Sequence, residues 1–296
     1  MNQPSLAAKA SLTQGFLWMS GALLSFIGMA IAGRELADTM NTFEILTFRS
    51  AIALAITVVF VMHSGWHEIK TERLRFHFVR NLFHFGGQFG WFLGISLLPL
   101  ATVFALEFTI PIWAALLAVV ILGERLHHAR LLAIVCGLTG VVIILKPGAN
   151  VVDPAALIVI GAAFCYAVAY ISTKSMTKTE RPLAILFYMN IIQLPLGLVP
   201  AVFSWVAPTM GDVPWILMVG VTGLSSHYCI TRAFQVADTL TVIPIDFLRL
   251  PLIAIIGYFF YSETLEMALV VGAIIIFAGN YYNIRYEAGL LKKATS

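Results

Sequence analysis

Apolar residues run along the chain in long blocks, and polar residues break the blocks at short intervals. A helix needs about 20 residues to cross a hydrocarbon layer about 30 Å thick. Ten blocks meet that length. They predict membrane-spanning helices at 14–33, 43–63, 76–97, 99–122, 129–146, 154–173, 183–206, 213–235, 238–261 and 266–285. The longest connections, His63 to Arg75 and Lys174 to Pro182, are too short for a folded domain, so the function must reside in the helices. The first block is too long for a signal-peptide core and lacks a convincing cleavage site, so it is expected to stay as the first helix.

Polar positions inside the blocks are periodic. In the third block Arg80, His84, Gln88 and Trp91 recur at spacings of four, four and three, which is one helical face. Gly223, His227 and Thr231 form a similar stripe in the eighth block, and Asn190 with Gln193 a shorter one in the seventh. Such stripes either bind a polar or aromatic ligand or hold neighbouring helices together. Arg80 is expected at the interface, with its head group among the lipid head groups.

Composition narrows the class. Of the 296 residues 60% are hydrophobic and only 11% charged, against about 25% charged in a soluble domain. Mean hydropathy is +0.91. This excludes a cytosolic enzyme, a secreted disulfide scaffold and a nucleic-acid-binding module, and makes membrane lipid the surroundings. Cys136, Cys165 and Cys229 lie in apolar stretches, without the spacing of a metal site or a disulfide framework. Neither a metal nor another cofactor is expected. No Gly-x-x-x-x-Gly-Lys-Ser/Thr loop occurs, so ATP is not expected to drive the protein.

The formal net charge of +3 is unevenly placed. With ten spans, 14 of the 18 lysines and arginines fall on the side of the termini and even-numbered connections. Arg34 and Lys146 fall on the other side, and Arg49 and Arg249 lie inside spans. The asymmetry puts both termini in the cytoplasm and the protein in the cell (inner) membrane.

The chain also resembles itself at an offset of 139 residues. Thr102-Val103 falls on Thr241-Val242, Glu107-Phe108 on Asp246-Phe247, Glu124 on Glu263, Gly140 on Gly279 and Gln88 on His227. Two units follow, residues 1–148 and 149–296. Each holds five spans, an odd number, so the second enters the membrane from the opposite face. The expected fold is an all-α membrane protein of ten transmembrane helices in two inverted five-helix repeats, an arrangement that secondary transporters use for alternating access.

Intramembrane charges are costly and usually face a cavity or a partner. Arg49, Glu107, Asp246 and Arg249 are the four here, and their formal charges sum to zero. One reading has them line a central site, with an arginine fork for a substrate carboxylate or phosphate and a carboxylate to carry a proton. The other makes them two structural pairs, Arg49 with Glu107 and Asp246 with Arg249. Pro111 in the fourth span, and Pro244 and Pro251 in the ninth, are candidate hinges, since each removes a backbone hydrogen bond. Glu124 and Glu263 precede new helices, which suits capping.

Leu98-Pro99-Leu100-Ala101, Glu107-Phe108, Gly123-Glu124-Arg125-Leu126, Lys146-Pro147-Gly148 and Ser262-Glu263-Thr264-Leu265 resemble the drug/metabolite transporter superfamily, specifically its ten-helix EamA-type members. Asp246-Phe247-Leu248-Arg249-Leu250-Pro251 is most similar to the branch of S-adenosylmethionine and riboflavin carriers. Ser262 stands where that pattern has glycine. The resemblance implies a secondary transporter of a small organic metabolite: an amino acid, or a nucleoside-like or vitamin-like molecule, anionic or zwitterionic. Candidate substrate-binding residues are Arg49, His84, Gln88, Trp91, Glu107, Asn190, His227, Asp246 and Arg249. A proton is the candidate coupling ion. Three alternatives remain: an amino-acid or drug exporter of the same fold, a membrane scaffold without transport activity, and an enzyme built on Ser225-Ser226-His227. Adjacent helical residues point apart, which argues against the last. Substrate identity, direction and oligomeric state stay open.

Overall fold

The computed structural model describes residues 6–122, 128–145, 153–176, 179–236 and 245–295. Among these the regular structure is helical, with no strand. The helices are α1 (Leu6–Ala37), α2 (Thr42–Ser64), α3 (Leu74–Leu97), α4 (Leu100–Glu107), α5 (Ile110–Leu122), α6 (His128–Leu145), α7 (Pro154–Met176), α8 (Pro182–Ala201), α9 (Val213–Val236), α10 (Arg249–Tyr261) and α11 (Met267–Thr295). Helix occupies each predicted span, and eight helical stretches are long and apolar enough to cross a membrane. The α3 helix is not one of the eight, because its polar stripe lowers its hydropathy. His77, Arg80, Asn81, His84 and Gln88 are nonetheless all buried, so that polarity faces protein.

Local chemistry sets the ends. Asn41 opens α2 with a capping box: its side chain accepts from the Glu44 amide at 3.1 Å, and Glu44 accepts from the Asn41 amide at 2.9 Å. Gly65, at φ 98°, ends α2 in a backbone region that favours glycine. Pro182 starts α8, where a missing amide proton costs nothing. Hydrogen bonds from Thr209 and Thr39 tie Asp212 to the α1–α2 turn and hold its carboxyl below the usual carboxylate range.

The fourth span breaks in two. Its first helix ends at Glu107, Phe108 and Thr109 form a turn, and Pro111 is the second residue of α5. A proline in the first turn of a helix is unstrained. Pro111 therefore starts a new helix instead of kinking a continuous one. The ninth span repeats the device: helix reaches Asp246, Phe247 and Leu248 turn, and Pro251 is the third residue of α10. Pro244 and Glu124 lie outside the described residues.

Helices pack in pairs: α1 on α9, α3 on α7, α2 on α8, α6 on α11 and α4 on α10. Small residues set the closest approach. A Cβ on Gly140 would lie 2.6 Å from the Gly272 carbonyl oxygen, and one on Gly272 2.6 Å from that of Gly140. A Cβ on Gly279 would lie 3.3 Å from the Ala133 Cα. Gly140→Val is therefore expected to destabilise the protein by about 1–3 kcal/mol, the usual cost of overpacking. Unfolding of the purified variant in detergent checks this, and parental stability would mean the crossing is loose.

Candidate functional site

The α3 stripe faces α2, α4, α7 and α8, and its polar groups are joined across those helices. Arg80 donates from Nε to Thr173 Oγ1 at 3.0 Å and from Nη1 to Asn81 Oδ1 at 2.6 Å. It is 5% exposed, so the expected interfacial placement is wrong. Neighbouring side chains supply the oxygens that water would have supplied at the interface. Gln193 Nε2 lies 2.8 Å from His84 Nδ1 and donates to Asn81 Oδ1 at 3.5 Å. With its amide oxygen turned toward Arg49, Gln88 accepts from Arg49 Nη1 and Nη2, each at 2.9 Å, and donates to Gln193 Oε1 at 2.8 Å.

The deeper end of the stripe reaches the intramembrane charges. Trp91 Nε1 donates to Glu107 Oε2 at 2.8 Å. Arg249 Nη2 lies 3.2 Å from Glu107 Oε1 and 3.2 Å from Asp246 Oδ2, so one nitrogen bridges two carboxylates at the same position in the 139-residue repeat. The rings of Phe26, Phe104 and Phe108 surround the Arg249 guanidinium, with centroids at 4.5, 5.1 and 5.3 Å. Cations are attracted to such faces.

This corrects one expected pair. Glu107 is bound by Arg249, not by Arg49. Arg49 is 1% exposed, has no carboxylate partner among the described residues, and its Nε has no hydrogen-bond partner. A Cβ on Gly223 would lie 2.6 Å from that Nε, so the bare glycine is what gives the guanidinium its place.

Arg49, Gln88, Trp91, Glu107 and His227 line one small cavity of ≈ 20 Å³, with Phe26, Met29, Tyr166 and Tyr170. That is room for about one water. His84 stands one layer back, its ring 5.3 Å from that of His227. Arg249 and Asp246 lie behind Glu107. Asn190 is not at the cavity: it donates to the Leu186 carbonyl of its own helix at 2.9 Å. Sequence reasoning missed Phe26 with Met29 on α1 and Tyr166 with Tyr170 on α7. Their spacings of three and four were the available signal. The serines beside His227 have other partners: Ser225 shares a hydrogen bond with Ser25 at 2.8 Å, and Ser226 donates to the Gly223 carbonyl.

The cavity brings a cation without a carboxylate partner among the described residues and a partly neutralised anionic cluster to one place. Arg49 brings a guanidinium bonded only through Gln88 among the described residues, the Arg249–Glu107–Asp246 triad is formally −1, and Trp91, Tyr166 and His227 add ring surface to the cavity wall. Among the described residues no cluster of histidine, cysteine and carboxylate could hold a metal.

A chain with this interior is a polytopic membrane protein with a polar site among its helices. The model of the EamA-like transporter family matches it twice, over residues 13–146 and 153–285. The protein belongs to that family, within the drug/metabolite transporter superfamily, and is a transporter of small molecules rather than an enzyme. The S-adenosylmethionine uptake transporter of Rickettsia bellii is 28% identical over 279 residues, covering 94% of this chain and 96% of that one. The riboflavin transporter of Rhizobium johnstonii is 28% identical over 291 residues, covering 97% and 96%. A crystal structure 17% identical in sequence shares the fold at a TM-score of 0.64, covering 96% of this chain and 99% of that one.

Proposed function

We propose that this protein is a secondary transporter that moves a small zwitterionic metabolite with a flat ring across the inner membrane by alternating access. The observation that carries the reading is Arg49, a buried cation without a counter-ion among the described residues, on the wall of a cavity whose opposite charge is already neutralised in part. A buried guanidinium calls for an anion with bidentate geometry, and a substrate carboxylate fits that need. The substrate's cationic end then faces Glu107 and Asp246. The relatives named for S-adenosylmethionine and riboflavin support the ring, because adenine and isoalloxazine are both flat heterocycles.

Two inverted repeats, 1–148 and 149–296, supply the alternation. The helix pairing supports this, because exchanging the halves turns α1 on α9 into α7 on α3 and leaves α2 on α8 and α6 on α11 unchanged. The glycine crossing follows the same rule: Gly140 on Gly272 becomes Gly279 on Ala133. The 14-to-2 split of positive charge supports cytoplasmic termini. Glu107 and Asp246 are the groups to carry a coupling proton, and the ≈ 20 Å³ cavity is one closed stage of the cycle.

A ligand panel on the purified protein tests the substrate class. A zwitterionic heteroaromatic at about 100 times its Kd stabilises the fold by about 2.7 kcal/mol, which reads as a raised melting temperature. Stabilisation by carboxylate-free permanent cations alone would overturn the proposal.

A further inference from the structure

Three segments remote in sequence meet at the end of the bundle where α1 stops. Arg34, on the last turn of α1, donates from Nη1 to the Leu98 carbonyl at 3.1 Å and also to the Ile95 carbonyl, at the end of α3. Its Nη2 lies 3.5 Å from Glu263 Oε1, in the α10–α11 connection. The other oxygen, Glu263 Oε2, accepts from the Leu100 amide at 2.9 Å. Next to it, Tyr261 donates to Glu35 at 2.8 Å.

Leu100 is the first residue of α4. Pro99, which precedes it, provides no side-chain cap, and the first amides of a helix need acceptors from elsewhere. Glu263 supplies one from the other half of the chain. It was expected to cap the helix that follows it, and local geometry explains the difference. Ser262 lies in the left-handed region at φ 53°, and this turns Glu263 back toward α4. Gly257 leaves the space, since a Cβ there would meet Glu263 Oε2 at 2.4 Å. At its other end α4 is held by Asn280 of α11, which donates to the Phe108 carbonyl at 2.9 Å. Between these anchors α4 is eight residues, about 12 Å, of helix, and its last residue is Glu107 at the cavity.

We propose that Glu263 is a positioning residue: by capping α4 and holding Arg34 with one carboxylate, it couples closure of this end of the bundle to the placement of Glu107. The inference rests on the reading of the cavity as the transport site. To open the cavity toward this end, α1 must leave the α3–α4 junction, and Arg34 must then release Glu263. The carboxylate is 7% exposed, and burial lifts its carboxyl above the usual carboxylate range against the opposing pull of the Leu100 amide and Arg34. Loss of either partner therefore weakens the whole junction.

The test uses the full chain in sealed liposomes, without its three native cysteines and with Met29→Cys as a reporter in the cavity wall. A membrane-impermeant maleimide is applied to each face in turn. Glu263→Gln keeps an acceptor for Leu100 and loses the charge that holds Arg34. It is expected to raise labelling from the α1-end face about fivefold, the effect of losing one modest interaction, and not from the other face. Arg34→Gln, which leaves Glu263 intact, is expected to do the same. Glu263→Ala is expected in addition to lower the maximal transport rate more than it changes KM, because Glu107 loses its support. Parental labelling in both glutamine variants overturns the proposal, as does equal transport by Glu263→Ala and Glu263→Gln. Labelling needs no substrate, so an error in the substrate class leaves this result readable.

Discussion

Arg49→Met is expected to weaken substrate binding strongly while leaving the empty protein's melting temperature near the parental value. The two effects have separate causes. A charge-assisted hydrogen bond contributes about 1.5–3 kcal/mol, so losing even one bond to a substrate carboxylate weakens binding by about 10- to 100-fold. In the empty protein Arg49 is a buried charge whose hydrogen bonds, among the described residues, go to the Gln88 amide. Replacing an imperfectly compensated buried charge with an apolar group of similar length is often neutral or stabilising. Against that gain, the Gln88 oxygen loses its donors, which costs about 1–3 kcal/mol. The two nearly cancel. Arg49→Lys is expected to keep the charge and lose the fork, and so to bind weakly. Calorimetric titration with thermal unfolding reads both quantities. Retained binding together with a large fall in melting temperature would mean that Arg49 is structural.

Arg249→Met is expected to be among the most destabilising single changes in the protein. It is the same substitution at a similar burial, with the opposite outcome for stability. Arg249 is the cation that two carboxylates share, and its removal leaves the buried Glu107 and the half-buried Asp246 without it. Breaking a buried pair in this way costs about 3–5 kcal/mol. Adding Glu107→Gln and Asp246→Asn removes the stranded charges and is expected to restore most of the stability without restoring transport. Equilibrium unfolding of the single and triple variants decides the matter. If the triple variant is no more stable than the single one, the triad is not what Arg249 supports.

Much of the fold was legible because a bilayer demands long apolar blocks, and polar residues inside them are costly enough to signal a role. Arg49, Gln88, Trp91, Glu107 and His227 were found in this way, and the structure places them on one cavity. The partners were less legible. Periodicity shows which residues share a helical face but not which helix that face meets, so Glu107 was matched with Arg49 when it is bound by Arg249. Phe26, Met29, Tyr166 and Tyr170 escaped because the chain has 21 phenylalanines and nine tyrosines, and aromatic spacing carries little contrast against that background. The Glu263 cap was hidden for another reason. Its partner is a backbone amide, which every residue but proline has, so no side-chain type at position 100 announces it. The span breaks at Phe108 and Phe247 were suggested by prolines, but a proline marks the helix that begins and not the turn that ends the one before.

Between α6 and α11 the backbones meet carbonyl against glycine at Gly140 and Gly272, with the Ile144 and Ile276 side chains packed beside the contact. A contact of backbone on backbone has few ways to adjust when a helix moves, and separating it would open a gap that lipid tails fill poorly. In the proposed alternating-access cycle the seam is the fixed point, and the helices bearing Arg49 and Glu107 are the ones that move about it.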